Sequence, residues 1–186
     1  MRIISGNFRG KKLFQPKDKS TRPLRDLVKE AIFNLIHHSK KVGKAIKGSS
    51  ILDLFSGSGS FGIECLSRGA EKVFFFEKNN KALEVLEKNL NSLKNIRNFE
   101  IYKNDVFHFF EGEHDLEKKF DIIFIDPPYK ENKVNLIIET TKKRKLLKPG
   151  GIMILHRNKK DENKLSKEFN ILEERDYGVS KILFGN

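Results

Sequence analysis

The sequence is short of cysteine, of acidic residues and of long apolar runs, and each shortage excludes something. Cys65 is the one cysteine, so no internal disulfide can form, and a lone Cys within an apolar helical pattern reads as a small packing residue. No apolar run approaches the length of a bilayer span, and no charged segment followed by an apolar stretch opens the chain as a secretory leader would. The protein is therefore expected to be soluble and cytoplasmic, with no membrane partner. The five histidines, His37, His38, His108, His114 and His156, lack metal-ligand spacing with one another or with Cys65, so no metal site is expected. Neither an internal repeat nor a low-complexity segment is evident. With 186 residues the chain can hold one complete core but not two ordinary domains. Asp and Glu number 25 against 37 Lys and Arg, a net charge of +12. An excess of that size favours a polyanionic partner through counterion release, and nucleic acid leads over a membrane surface.

Half of the excess lies near the start. Residues 1–30 carry nine basic and three acidic side chains. Residues 2–14 read as two short strands around a glycine-containing loop, with Phe8 and Phe14 interleaved among Arg2, Arg9, Lys11 and Lys12. Charge runs are usually solvated faces. Aromatic rings set among cations are what a surface needs to stack bases and grip phosphates, which favours nucleic-acid contact here, extended by Arg22 and Arg25. From Pro23, suited to a first helical turn, the period becomes helical. Leu24, Leu27, Val28, Ala31, Ile32, Leu35 and Ile36 form one stripe that must be buried. A basic connector over residues 40–48 then leads into the main domain. The division expected is a basic N-terminal extension over 1–48 and a main domain over 49–186.

The main domain alternates strands and helices, the pattern of an α/β fold with a mostly parallel sheet. Strands are expected at 50–55, 73–77, 99–102, 122–125 and 152–155, and helices at 61–68, 81–93 and within 132–147. Lys148-Pro149-Gly150-Gly151 reads as a turn before the fifth strand. A helix is expected around 164–169, followed by strands at 171–175 and 179–184 in an antiparallel hairpin closing one sheet edge.

Candidate site residues gather at the C-terminal ends of the first four strands, where open α/β sheets bind ligands. After the first strand, Gly57-Ser58-Gly59-Ser60-Phe61-Gly62 matches the dinucleotide-binding spacing, and Glu77, 20 residues after Gly57, is placed to hold ribose hydroxyls. Glycine-rich turns of this kind serve several adenosine cofactors. Asp53, just before the glycines, would repel a pyrophosphate but could receive an ammonium group. Asp105, after the third strand, could accept from an adenine amine. Asp53 could equally cap the next helix, and Glu77 and Asp105 could be ordinary strand-end carboxylates. Their joint position on successive strands favours S-adenosylmethionine, with Phe55, Ser58, Lys78, Asn104 and Val106 flanking the same site. At the fourth strand's end, Asp126-Pro127-Pro128-Tyr129 makes a stiff turn. Its carboxylate and the Pro127 carbonyl can accept from an exocyclic amine while Tyr129 stacks on the ring.

These motifs resemble class I S-adenosylmethionine-dependent methyltransferases, and within them the small-subunit ribosomal RNA guanine-N2 methyltransferase family. The likeness covers nearly the whole chain. It is carried by Arg2-Ile3-Ile4-Ser5-Gly6 with Arg9-Gly10-Lys11-Lys12-Leu13, by Thr21-Arg22-Pro23, by Val28 through Asn34, by Asp53 through Gly59, by Ser67-Arg68-Gly69-Ala70, and by Asp126 through Tyr129. The resemblance implies a Rossmann-like, mostly parallel seven-stranded sheet, with Arg22 and Pro23 near the cofactor. It implies methylation of a guanine amine in ribosomal RNA, free or in an assembling small subunit, by an enzyme whose N-terminal extension assists RNA binding; a monomer is expected. Two positions depart from the family: Leu24 stands where Thr is frequent, and His156, expected at the end of strand five, where an acidic residue is common. The competing readings are a DNA adenine or cytosine amino-methyltransferase, a methyltransferase of a protein glutamine amide, a nicotinamide enzyme, and a non-catalytic RNA-binding assembly factor.

Overall fold

The computed structural model describes residues 1–16, 24–112, 118–128 and 131–186. Alternation along the strands decides the layering. In β1 (Ser50–Leu54), β2 (Lys72–Phe76), β4 (Phe120–Ile125) and β5 (Leu147–Asn158), odd and even apolar residues enter two separate cores. Ile51, Val73, Phe75, Ile122, Phe124, Ile152 and Ile154 face one side, and Leu52, Phe74, Phe76, Ile123, Ile125, Met153 and Leu155 face the other. The first face is covered by α1 (Asp26–His38), α2 (Ser60–Ser67) and α3 (Asn80–Asn91), and the second by α4 (Val106–Glu111) and α5 (Val134–Lys143). With β3 (Phe99–Tyr102), β6 (Ile171–Tyr177) and β7 (Ser180–Gly185), the strands form one seven-stranded sheet in the order β3-β2-β1-β4-β5-β7-β6. Pairings from β3 through β5 are parallel, and β7 pairs antiparallel with β5 and β6. The strand order reverses between β1 and β4, the crevice where such sheets bind ligands. No helix among the described residues is long and apolar enough to cross a membrane.

The N-terminal extension packs into the first core rather than standing off it. Ile3, Leu13 and Leu24 are buried with α1 and α2, and Phe33 stacks on Phe61, which stacks on Phe124 with centroids 5.2 and 4.0 Å apart. The expected hairpin is present in minimal form, as a single antiparallel bridge from Arg2 to Lys12 supported by the Ile3 N–H donating to the Lys11 carbonyl at 2.9 Å. Its loop is fastened to α2. The N–H groups of Ile4 and Ser5 donate to the Glu64 carboxylate at 2.7 and 2.9 Å, and those of Asn7 and Phe8 donate to the Ser67 carbonyl and hydroxyl. Gly6 makes this approach possible. Its φ is +82°, and a Cβ there would sit 1.9 Å from the Ser67 carbonyl oxygen.

Three details differ from expectation. The buried face of α1 is rotated: Leu27 is 71% exposed, while Lys29 and Phe33 join Val28, Ile32 and Ile36 inside. Lys29 is fully buried because its ammonium is satisfied, donating to the Arg2 carbonyl at 2.7 Å with Glu64 and Asp26 each 3.8 Å away. Burial lowers its pKa, and Glu64 and Asp26 oppose the shift. Second, residues 148–151 belong to β5. The ladder irregularity between Phe120 and Ile122 absorbs the Pro-Gly-Gly stretch, so what reads locally as a turn continues the strand. Third, no helix forms around residues 164–169. Side chains claim its backbone: Arg157 donates to the Asp161 and Asn163 carbonyls, and Asn135 bonds the Lys164 carbonyl and the Ser166 N–H. Conversely, α4 is a helix that the sequence pattern did not announce, six residues capped by Asp105.

Candidate functional site

At the C-terminal edge of β1, β2, β3 and β4 lies a cavity of about 350 Å³, within the range of small-molecule sites. Its walls come from the strand ends. From β1 and the glycine turn come Asp53, Phe55, Gly57 and Ser58, and from the end of β2 come Glu77 and Lys78. The segment after β3 adds Asn104, Asp105 and Val106, and the end of β4 adds Asp126, Pro127 and Pro128. Twelve of the residues expected from sequence therefore meet around one space. Gly59 does not join them. Its φ is +81° and a Cβ would lie 2.4 Å from Leu86 Cδ1, so this glycine allows the turn to pack on α3. Arg22, Pro23 and Tyr129 lie outside the described residues.

Each carboxylate is held by the turn that carries it. Asp53 accepts from the Gly62 N–H at 2.9 Å, in the first turn of α2. Glu77 accepts three backbone N–H bonds, from Gly57 at 2.8 Å on one oxygen and from Lys78 and Asn79 at 2.9 and 2.8 Å on the other. That fixes the glycine turn to β2 and leaves room for about one further donor on a carboxylate with roughly four acceptor positions. Asp105 caps α4 through the Phe107 N–H at 2.8 Å and pairs with Lys78 Nζ at 2.6 Å, which together with the Phe107 bond holds its carboxyl below the usual range although burial opposes them. The capping roles and the ligand-facing positions are thus compatible, because each carboxylate spends only part of its acceptor capacity on the backbone. Phe55 completes the turn in a left-handed conformation, φ +60°, a strained state for a non-glycine residue placed at the mouth of the cavity.

Asp53 is the most confined, 1% exposed. Burial pushes its carboxyl well above the ordinary range, the Gly62 bond pulls it back, and Asp126 and Glu77 push it further up. Such a carboxylate gains from a cation entering the cavity. The sign for stability follows from proton binding. A raised value means that the folded chain keeps a proton that the unfolded chain releases, so ionisation of Asp53 opposes folding as pH rises beyond the ordinary carboxylate range. Asp53→Asn keeps an oxygen for Gly62 and removes the charge. The ligand-free variant is expected to melt above the wild type at neutral pH, with the gain shrinking as the pH is lowered through the acid range; a series of thermal melts against pH measures it.

Several contributors escaped the sequence reading. Asn89, buried in α3, donates to the Ser58 carbonyl at 2.9 Å and bonds both the N–H and the carbonyl of Phe14, tying the extension to the glycine turn. Pro16 and Leu24 line the cavity from the extension's side, and Phe61 and Phe124 form an aromatic part of its wall. His156 is not at the end of β5 but within it, 2% exposed, with Nδ1 2.8 Å from Asp126 Oδ1. A polar residue in the apolar row of Ile152 and Ile154, one step beyond the Ile125–Leu155 pair, was the signal available for it. Of the basic residues expected to face nucleic acid, Arg2, Arg9, Lys12 and Arg25 are exposed, while Lys11 donates to the Ser92 carbonyl at the end of α3. Phe8 packs against the core, and Phe14, 46% exposed, lies under Lys88 with Nζ 4.0 Å from the ring centre. Cys65 is fully buried, its thiol pushed up by burial, as a packing residue.

Comparisons with known proteins agree along the chain's length. The family described as Conserved hypothetical protein 95 matches residues 1–186. The Bacillus subtilis protein YlbH is 36% identical over 162 residues, covering 87% of this chain and 85% of its own. The ribosomal RNA small subunit methyltransferase D of Haemophilus influenzae is 32% identical over 180 residues, covering 96% and 90%. Among solved structures, yhhF from Escherichia coli superposes with a TM-score of 0.81 at 26% identity, covering 99% of this chain and 96% of that one.

Proposed function

The chain belongs to the Conserved hypothetical protein 95 family, and from that membership and the geometry of the cavity we propose that it methylates the N2 amine of a guanine in small-subunit ribosomal RNA, with S-adenosylmethionine as cofactor. The observation that carries the reading is that the glycine-turn carboxylates and the Asp126-Pro127-Pro128 turn line one cavity across the β1–β4 seam. The residues present suit the cofactor. Asp53, buried and opposed by its neighbours, would receive the ammonium of the methionine moiety; Glu77 would take a ribose hydroxyl and Asp105 the adenine amine; and Phe55 and Val106 supply apolar wall. Replacing Asp53 with Asn would cost roughly tenfold or more in cofactor affinity, the scale of one charge-assisted hydrogen bond.

When bound, S-adenosylmethionine supplies a sulfonium methyl group to a nucleophile. The guanine amine is a weak one, because its lone pair is delocalised into the ring. Asp126 and the Pro127 carbonyl accept its N–H bonds, which orients the nitrogen and favours the pyramidal geometry it needs for attack. Once methylated the nitrogen is cationic and its proton acidic, so Asp126 or water takes the proton late and no strong base is required. In a paired helix the amine is enclosed, so the target is a loop base or one turned out of its stack, with Tyr129 as its stacking partner. Exposed Arg2, Arg9, Lys12 and Arg25, on the extension that borders the cavity, suit the RNA backbone.

The name carried by the Haemophilus relative supports ribosomal RNA as substrate, and the choice of guanine rests on the family resemblance. Mass spectrometry of nucleosides from small-subunit RNA of cells with and without the gene tests both. N2-methylguanosine present at one position with the gene and absent without it is expected. Unchanged modification would sink the reading, and a change confined to DNA would transfer it to a DNA amino-methyltransferase.

A further inference from the structure

Asp126 does not stand alone at the end of β4. The Ile125–Leu155 register sets Asp126 beside His156 on the face that also carries Phe124 and Ile154. His156 Nδ1 lies 2.8 Å from Asp126 Oδ1, and its Nε2 lies 2.9 Å from Ser180 Oγ on β7. The ring is 2% exposed and Ser180 4%. An ionised carboxylate can only accept, so Nδ1 carries the proton; a neutral ring then offers Nε2 as acceptor, and the Ser180 hydroxyl donates to it. Both ring nitrogens are thereby satisfied in an otherwise apolar row, and the ring is held in one tautomer and one orientation.

We infer that His156, braced by Ser180, is a positioning residue that sets the direction of the Asp126 carboxylate. The inference rests on the reading that Asp126 receives the substrate amine. The terminal torsion of an aspartate is soft, and the Asp126 side chain is 14% exposed at the rim of a cavity. The carboxylate must nonetheless aim its acceptor lone pairs at an amine whose nitrogen has to sit in line with a transferable methyl. A rigid ring on the neighbouring strand supplies that aim, and because a carboxylate has roughly four acceptor positions, the bond from His156 leaves capacity for the substrate N–H. His156 touches no reacting atom in this arrangement; it acts through Asp126.

Two substitutions separate aiming from filling space. In His156→Asn the amide nitrogen occupies the place of Nδ1, so the donor to Asp126 is kept and the bond to Ser180 is lost. In His156→Gln the amide reaches the place of Nε2, so the Ser180 contact is kept and the donor to Asp126 is lost. With the purified full chain and small-subunit RNA, His156→Asn is expected to keep kcat within about threefold. His156→Gln is expected to lose roughly 10–100-fold, the scale of a misplaced catalytic group. Affinity for S-adenosylhomocysteine should be unchanged in both. In an Asp126→Asn background, followed by long incubations, the two variants should become equivalent. Equal kcat for the two in the native background, or a difference that survives in the Asp126→Asn background, overturns the inference. An arm without RNA reads the ring itself: nitrogen NMR of labelled histidine should show His156 protonated at Nδ1, with that state lost in Asp126→Ala. A ring protonated at Nε2 alone overturns the inference even if methyl transfer is intact. A wild type that methylates no RNA removes the functional reading while the ring assignment is decided separately.

Discussion

Replacement of Asp126 with Ala is expected to lower methyl transfer to small-subunit RNA by about 10³-fold while leaving cofactor binding within a factor of about two. The expected size is the upper end of what one preorganised polar group contributes to a transition state. The separation of the two effects follows from geometry. In the proposed reading the cofactor is held by groups at the ends of β1 and β2 and after β3, whereas Asp126 lines the cavity from the end of β4. Tritiated methyl transfer measures the first quantity and calorimetric titration of S-adenosylhomocysteine the second. Undiminished turnover in this variant would remove Asp126 from the chemistry, and with it the role of His156. A matching loss of cofactor affinity would instead make Asp126 part of the cofactor site. One opposing effect is foreseeable: Asp126 pushes the Asp53 carboxyl up, so its removal eases ionisation of Asp53 and slightly favours a cationic ligand.

The second large effect concerns the seat of the N-terminal extension. Glu64, fully buried, takes the N–H groups of Ile4 and Ser5, pairs with Arg68 Nε at 2.8 Å and lies 3.8 Å from the buried Lys29 ammonium. Glu64→Ala removes an anion and strands both backbone donors and much of the compensation of Lys29. Breaking a buried pair from one side costs about 3–5 kcal/mol, which for a chain of this length lowers Tm by roughly 10 °C. Glu64→Gln keeps an acceptor for the backbone and should cost less. Urea unfolding gives the free energies, and limited proteolysis shows whether cleavage moves into the first 14 residues. A loss under about 1 kcal/mol in the Ala variant would mean that the extension is held chiefly by Ile3 and Leu13 in the apolar core.

What could be read from the sequence was whatever depends on neighbours along the chain. The β-branched and aromatic runs gave the central strands, and the carboxylates at their ends could be assigned to one edge because parallel strands bring equivalent ends together. What could not be read depended on partners far along the chain. Lys29 looks like a solvent residue until Glu64 arrives 35 positions later to compensate it. Residues 148–151 carry every local mark of a turn, yet they lie within β5 as an unpaired bulge between the Phe120–Leu147 and Ile122–Ile152 pairs with β4. His156 stood out as a departure from the family at the end of the expected fifth strand, but the role inferred for it needs Asp126 from one neighbouring strand and Ser180 from the other, a conjunction fixed by register alone. Helix α4 failed for a local reason. Val-Phe-His-Phe-Phe-Glu is apolar almost throughout, so it shows neither helical nor strand periodicity.

The β1–β4 pairing also bears on how the molecule is assembled. Ile51 and Ile122 are partners in a parallel ladder although 71 residues separate them, so this seam closes one of the longest loops in the fold and pays its ordering entropy late. Until it closes, Asp53 and Glu77 in the first half of the chain are apart from the Asp126 turn in the second, and each half exposes an unpaired strand edge. A slip of one residue at the seam would turn Asp126 to the opposite face of the sheet from Asp53. Any ligand that spans both halves binds only the correctly registered form, and by mass action it stabilises that form over its mispaired alternatives.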